Sequence, residues 1–473
     1  MLVHVVSGMV FSRVLTVDEY GTYLQTFIAY DFAVPILTLG LPSALYYFLP
    51  GERERKKGLV LDNLVLMVVA GLIFSVFLIL GGTELLANRF NNPELSKTLR
   101  WMIFYPLFTF PVLIGSAVWV SQDKVNLNAK YNVFTGLLLS ILLIISVLIT
   151  RSYEAPVLVR ILLPMAFLPV ALFLIFRHLP GKWDKPCLAS MWNLIKFSVP
   201  LGLATVLGTL TLQLSNLVVA MLTSPKDFAI YSIGAKEIPL IGIVTGSVGV
   251  IIMADMANKI KNGDLQKALE LFRKSAILSS LFLMPIMVFL FVFADSFIDI
   301  LFSNKYEMSV VPFRVYLLML PIRIVYYGSA FIALGKTKEI MYRSIVSLVL
   351  TGMLAYLLTM WFGYVGAAVA AVVISYFWAI PYNLITLSKA FSCSAFYVIP
   401  LSNVARIIFI SLLAMIPVSM LLLFSLDHII SFTLGLFIYA LLYSIMANRY
   451  VPEFADVSAQ FKYKLTKLII KFK

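Results

Sequence analysis

Two ionisable residues, Lys236 and Glu237, stand side by side and are followed by Pro239 near the start of a long apolar stretch, Tyr231 to Asp255. A helix of ~20 apolar residues crosses a bilayer, so this stretch reads as a membrane span. Each charge at mid-membrane costs ~2.5–3.5 kcal/mol on insertion scales. Such residues persist where they face a wet cavity, pair in the interior, or snorkel to water. Neighbours on a helix point about 100° apart, so the two cannot share one narrow face. A cavity facing Lys236 is the sharper expectation.

Other residues suit the same chemistry. Asp31 falls in the middle of an apolar run, with Pro35 one turn on. A carboxylate at that depth must be paired, protonated or wet, which makes Asp31 and Glu237 the candidates for a proton- or sodium-linked group. Arg323 lies deep in its span between Pro321 and the pair Tyr326–Tyr327, where it is expected to line a cavity. Arg13 is near the end of a short first span and close to Asp18 and Glu19, so an ion pair and a site role are both open. Arg160 and Arg314 lie within about a turn of the outer surface, where snorkelling is the simpler reading. Gln213 and Asn216, at i and i+3, share a helix face; they either hold helices together or contact sugar hydroxyls. Basic groups outnumber acids inside the spans. Such an interior favours an anionic cargo and disfavours a cationic one.

The elements that must position these residues are membrane helices. The chain has 473 residues, 61% hydrophobic and only 13% charged, with mean hydropathy +0.96. Soluble domains carry about 25% charged residues. The pattern predicts about 14 spans, near 1–15, 22–49, 59–83, 101–120, 131–150, 156–176, 197–222, 229–253, 272–294, 310–334, 344–362, 364–386, 402–424 and 429–447. The second, with Pro35, Gly40 and Pro42, is expected to bend. Phe362-Gly363-Tyr364 marks a sharp loop. No cleavable leader is expected, because the apolar N-terminus lacks a basic lead and a small-residue cleavage site.

The net charge of +14 is explained by topology. Only Arg89, Lys97, Arg100, Arg151, Lys226 and Lys305 fall in the outward loops, and most other basic residues fall in the opposite ones. The positive-inside rule then puts both termini in the cytoplasm, where basic loops meet an anionic leaflet. No nucleic-acid partner is needed. Cys187 and Cys393 lie in cytoplasmic loops, where a disulfide is not expected. The three histidines are scattered and make no metal pattern. There is no P-loop, zinc-protease or dinucleotide motif, and the outward loops are too short for a catalytic domain. Transport is therefore favoured over catalysis, with no cofactor beyond coupling to protons, sodium or the membrane potential.

An internal repeat organises the chain. Asp18-Glu19-Tyr20-Gly21-Thr22-Tyr23 precedes one charged, proline-bearing span, and Lys226-Asp227-Phe228-Ala229-Ile230-Tyr231 precedes another. Six spans separate the copies, so they have the same orientation and form a parallel repeat. The expected architecture is all-α and integral to the membrane. Two six-helix lobes, 1–176 and 197–386, surround a central cavity and are joined by a cytoplasmic linker, 177–196. Two extra helices occupy 387–447, and a basic amphipathic tail, 448–473, lies on the membrane surface.

Several stretches together resemble one family. FSRVLTVDEYGTY with LTLGLPSALYYFLPG resembles the opening of the polysaccharide transporters, within the multidrug/oligosaccharidyl-lipid/polysaccharide exporter superfamily. YSIGAKEIPLIGIVTGSVGVIIMADMANKIKNGD resembles their eighth span and following loop, ALGKTKEI the end of the tenth, and FGYVGAAVAAVVISY the eleventh-to-twelfth turn. The resemblance implies a flippase of the bacterial inner membrane. Its cargo would be an undecaprenyl-diphosphate-linked oligosaccharide, moved to the outer leaflet by alternating access for O-antigen, capsule or exopolysaccharide assembly. Polymerase and chain-length proteins are the implied partners. Similarity to the lipid II flippases implies that Lys236 stands where they carry a basic cavity residue and Asp31 near a second-span carboxylate. The chain departs from the family pattern in a short first span, which implies an earlier start, and in Met253-Ala254-Asp255-Met256, where a proline-bearing turn is usual. The alternatives are a lipid II flippase, a cation-coupled multidrug exporter, and a membrane polymerase or ligase.

Overall fold

The computed structural model describes residues 2–181, 183–235, 241, 255–424 and 426–455. Lys236 and Glu237, most of the eighth span and the basic tail lie outside them. The described residues are helical, with no strand among them. The helices used below are α1 (Leu2–Val14), α2 (Val17–Thr38), α3 (Leu41–Gly51), α4 (Lys56–Phe77), α5 (Val125–Thr150), α6 (Glu154–Arg177), α7 (Leu188–Leu222), α8 (Pro225–Gly234), α9 (Leu265–Val292), α10 (Thr337–Ile374), α11 (Ile380–Phe391), α12 (Leu401–Ser419) and α13 (His428–Tyr450). Eight helices are long and apolar enough to cross a membrane. Two more, 95–121 and 304–333, qualify as spans bent by 56° and 46°. The chain is thus a multi-pass membrane protein with eight to ten such spans among the described residues.

The caps show why the helices begin where they do. Thr16 accepts from the backbone N–H of Glu19, and the Glu19 carboxylate accepts from the Thr16 N–H at 2.8 Å, a complete capping box. At the second copy of the repeat, Ser224 accepts from the Asp227 N–H at 3.1 Å and donates to its carboxylate at 2.8 Å. Hydroxyl and acid three residues apart satisfy the orphan donors of a first turn. The repeat therefore extends two residues upstream of the similarity read from sequence, and each copy is a capped helix start.

The bend expected in the second span is present. Leu39 and Gly40 both have positive φ, 43° and 75°, and Pro42 opens α3. A proline cannot continue the preceding helix's hydrogen bonds, but it fits a first helical turn. The break is also a crossing point. Gly202 of α7 meets the backbone there, and a Cβ on Gly202 would overlap the Leu39 carbonyl.

By contacts the chain divides into two compact units. One comprises Met1–Ser232 with Ser344–Ala367, the other Ile233–Arg343 with Ala368–Lys473. In the first, α7 packs along α2, α3 and α4, and α6 packs on α5; Tyr47 of α3 stacks on Phe197 of α7 with centroids 4.5 Å apart. Helix α7 heads the second lobe by repeat, yet its packing partners are in the first unit. Division by repeat follows the chain, whereas division by contacts follows packing, and the two differ at this helix. The middle of α10 joins the same unit, where Gly352 faces Leu214.

In the second unit α9 is the central helix, packed against α12 and residues 320–324. The C-terminal pair α12–α13 is attached to it through tyrosines. Tyr443 donates to the carbonyl of Leu281 at 2.9 Å, and the Tyr439 ring stacks on Phe289 at 5.5 Å. A phenolic hydroxyl buried in apolar surroundings needs such a partner.

Candidate functional site

The charged centre of the first unit is built on one face of α2. Tyr23, Phe27 and Asp31 are spaced i, i+4, i+8, so they stack along a single stripe. Arg160 of α6 lies over this stripe. Its guanidinium sits 3.8 Å above the Phe27 ring and 3.8 Å from the Asp31 carboxylate. The cation is thereby held by an aromatic face and one acid. Cation–π attraction strengthens where water is excluded. The site keeps some access, with the Asp31 side chain 40% exposed and that of Arg160 24%. Arg160, expected near the outer surface, turns to the Asp31 carboxylate and the Phe27 face. Arg314 likewise pairs with Asp295 at 2.5 Å.

The adjoining surfaces of α2 are polar and sealed. Gln25 is fully buried; its Oε1 accepts from Asn92 at 2.8 Å and its amide approaches the Ala220 carbonyl at 3.4 Å. Asn92 also donates to Thr22 at 3.0 Å, and Thr26 shares a 2.9 Å bond with Thr98. At the same end Gly21 lies so close to the start of α8 that a Cβ would overlap the Pro225 carbonyl. The two capped starts of the repeat thus touch. Sequence reasoning does not single out Gln25 or Asn92, and it reads Arg160 as interfacial. Buried amides carry no periodic signal, but the Tyr23–Phe27–Asp31 spacing marks the stripe that Arg160 covers.

The other expected site residues are placed as follows. Gln213 and Asn216 are half-buried on α7 and bonded to each other, Asn216 Nδ2 donating to Gln213 Oε1 at 3.0 Å. Arg13 is exposed at the end of α1 and donates to the Met9 carbonyl at 3.0 Å. Arg323 is half-buried in the one-turn helix Leu320–Ile324, inside the span bent by 46°. Asp31, Arg13, Gln213 and Asn216 belong to the first unit and Arg323 to the second.

A second ionic cluster closes the other end of α4. Asp62 is fully buried and accepts from Arg55 Nη1 at 2.6 Å and from the Cys187 N–H at 2.8 Å. Arg55 also binds Asp184 and donates to the Lys185 carbonyl at 2.5 Å. Trp183 packs at a tilt on Phe176, centroids 4.5 Å apart, with the Lys57 ammonium 5.3 Å above it. The segment between α6 and α7 is therefore tied down at Trp183–Cys187 and is helical again from Leu188. The Arg55 guanidinium holds Asp184 below the usual carboxylate range, helped by the Lys185 N–H. Asp62 in turn holds Arg55 above its ordinary value.

With this geometry described, its likeness to known proteins can be stated. The profile of a family described as "Polysaccharide biosynthesis protein" matches residues 10–311. No curated protein matches the sequence. Among solved structures the fold is similar to the lipid II flippase MurJ in an inward closed conformation, with TM-score 0.76, 17% identity, and coverage of 95% of this chain and 96% of that one. It is similar to an inward-facing multidrug resistance MATE transporter, with TM-score 0.64, 14% identity, and coverage of 82% and 94%. A third similar structure is a MOP superfamily transporter from Pyrococcus furiosus noted for reversed polarity of its binding pocket, with TM-score 0.56, 12% identity, and coverage of 82% and 91%. At these identities the likeness establishes the fold.

Proposed function

The chain belongs to the polysaccharide biosynthesis protein family, and on that premise we propose that it is a flippase for an undecaprenyl-diphosphate-linked oligosaccharide. It would carry this lipid from the cytoplasmic to the outer leaflet of a bacterial inner membrane by alternating access, with both termini cytoplasmic. The observation that carries the reading is the family match over residues 10–311 on a MurJ-like fold.

The physics of the cargo supports it. The diphosphate is the part of the lipid that hydrocarbon rejects, because each buried charge must be compensated. Lys236 and Arg323, with Arg13, would offset it, while Gln213 and Asn216 offer amides to sugar hydroxyls. The prenyl chain stays in lipid. Asp31, with Glu237, is the ion-coupling candidate. In the observed conformation Asp31 neutralises Arg160. A proton or sodium ion on Asp31 would release that guanidinium, linking cation entry to the charge available for an anion. The membrane potential, negative inside, adds an outward drive on the anion, about 2.3 kcal/mol per charge per 100 mV.

The test is transport in proteoliposomes loaded with labelled lipid-linked oligosaccharide in one leaflet, together with surface glycan in cells. Lys236→Ala is expected to abolish both without loss of folded protein; normal surface glycan with that variant removes the reading. The MurJ likeness favours one second reading, a lipid II flippase. Rescue of cell-wall synthesis in a strain depleted of its own lipid II flippase would select it.

A further inference from the structure

Four arginines among the described residues are ion-paired. Arg55, Arg100, Arg160 and Arg314 each have a carboxylate within ion-pairing distance. Among the described residues Arg343 has none. It sits half-buried in the second turn of α10, about 9 Å from the helix start at 1.5 Å per residue, inside a membrane-spanning helix although it lies just before the eleventh span, 344–362, expected from sequence. Its side-chain partner is neutral: Nη1 donates to the Oδ1 of buried Asn383 at 3.1 Å.

Counting donors and acceptors defines what is missing. An arginine side chain has five N–H donors and no acceptor, and an asparagine amide has two donors. One Arg343 donor is used on Asn383, and that bond fixes the Asn383 amide with its oxygen toward the cation. The remaining guanidinium N–H groups and the Asn383 Nδ2 meet no acceptor among the described residues. Glu339, one turn before Arg343, makes no ion pair with it; its carboxylate accepts from the Tyr382 hydroxyl. The result is a site rich in donors, poor in acceptors, and positively charged.

The backbone is shaped around this site. Residues Ser375–Ala379, between α10 and α11, form a π-helical turn, a rare feature that re-aims side chains and recurs at functional sites. Here it brings the Trp378 indole N–H to the Arg343 carbonyl at 3.4 Å and sets Trp378 against Tyr382 at 5.3 Å. Tyr342 also meets Tyr382, its ring tilted with centroids 5.7 Å apart. Tyrosines and tryptophan in this arrangement are what a helix places at headgroup level. Phe377, next to Trp378, is exposed, so an apolar side chain flanks the site. Lys336 and Lys338 stand at the helix start.

We propose that Arg343 and Asn383 form a binding site for the phosphate of a membrane lipid at the cytoplasmic edge of the second unit. A planar guanidinium donates two parallel bonds to phosphate oxygens, and the Asn383 amide adds a third. The apolar flank and the aromatic collar suit a phosphate carried on a hydrocarbon chain rather than one in solution. The site goes beyond the flippase reading and does not depend on it: a resident anionic phospholipid and a prenyl diphosphate offer the same oxygens.

The test is native mass spectrometry of the full chain in dodecyl maltoside, titrated separately with phosphatidylglycerol, undecaprenyl diphosphate, inorganic phosphate and phosphate-free diacylglycerol. The wild type is expected to retain one or both phosphate lipids in preference to diacylglycerol. Arg343→Gln is expected to lower that retention about tenfold, as loss of a charge-assisted pair implies, and Arg343→Lys less, since an ammonium keeps the charge but not the fork. Asn383→Leu gives an independent variant should Arg343→Gln not fold. Preference for phosphatidylglycerol identifies a resident lipid, and preference for undecaprenyl diphosphate identifies a carrier lipid. Equal retention of phosphate lipids by wild type and variants, retention of diacylglycerol as strong as either, or binding of inorganic phosphate with no gain from a lipid chain overturns the proposal. The readout is binding, so it stands apart from any result on transport.

Discussion

The Arg160 guanidinium lies 3.8 Å from the Asp31 carboxylate while covering the face of Phe27 at the same distance. The contact is a single-oxygen approach on a partly accessible surface, so neither the weak exposed limit nor the strong buried limit of ion pairing applies. Asp31→Asn leaves the guanidinium with the Phe27 ring but no counter-charge. A loss of roughly 1–2 kcal/mol in stability is expected, between those limits. Arg160→Gln should cost a similar amount, and the double variant less than the sum, because each single change strands the other charge. A double-mutant cycle in detergent measures this; strict additivity would mean that the pair contributes nothing. In transport, Asp31→Asn should remove dependence on the ion gradient even where folded protein is unchanged.

Gly202 marks the place where α7 crosses the break between α2 and α3. A Cβ there overlaps the Leu39 carbonyl, which is backbone and cannot rotate away. Overpacking of this kind costs about 1–3 kcal/mol. Gly202→Ala should therefore lower the thermal midpoint, and Gly208→Ala on the same helix, where a Cβ meets open space, should not.

Much of this architecture is readable in the chain. The repeat at Asp18 and Lys226 marks two helix starts, Gly40 and Pro42 mark a bend, and Gly363 marks a turn, because each depends on local backbone chemistry. What sequence hides is partner choice across helices. Arg160 reads as an interfacial residue because nothing local reveals that α6 places it over Phe27. Arg343 reads as a loop charge because α10 begins earlier than hydropathy suggests. Nothing in the sequence marks Asp62 either, although Arg55 and the Cys187 N–H enclose it completely. The apparent lobe of α7 follows its repeat, while its contacts are set by glycines at the crossing.

The tie at Trp183–Cys187 has a defined pH response. Asp184 is held below the usual carboxylate range by Arg55. A carboxylate with a depressed folded value contributes stability that is complete above its unfolded value, about pH 4, and is lost as pH falls through the lower folded value. Protease cleavage between Trp183 and Cys187 should thus be slow and flat from pH 8 to about pH 5 and rise only in stronger acid. Asp184→Asn should raise cleavage across the whole range and abolish the acid step. A step near neutral pH would point to a different group.

Gly363 and Gly136 separate backbone strain from crowding. A Cβ at either position meets nothing within 4 Å, so sterics with neighbours are equal. Gly136 lies inside α5, and Gly136→Ala should stabilise the helix by about 0.5–1 kcal/mol through reduced freedom of the unfolded chain. Gly363 has φ 59° and ψ −150° at the reversal within α10, a region almost reserved to glycine. Gly363→Ala should cost about 1–3 kcal/mol, although the added methyl touches nothing. Opposite shifts of the thermal midpoint in detergent, upward for Gly136→Ala and downward for Gly363→Ala, are the expected outcome. Equal shifts would mean that the turn at Phe362-Gly363-Tyr364 relaxes to an ordinary backbone at no cost.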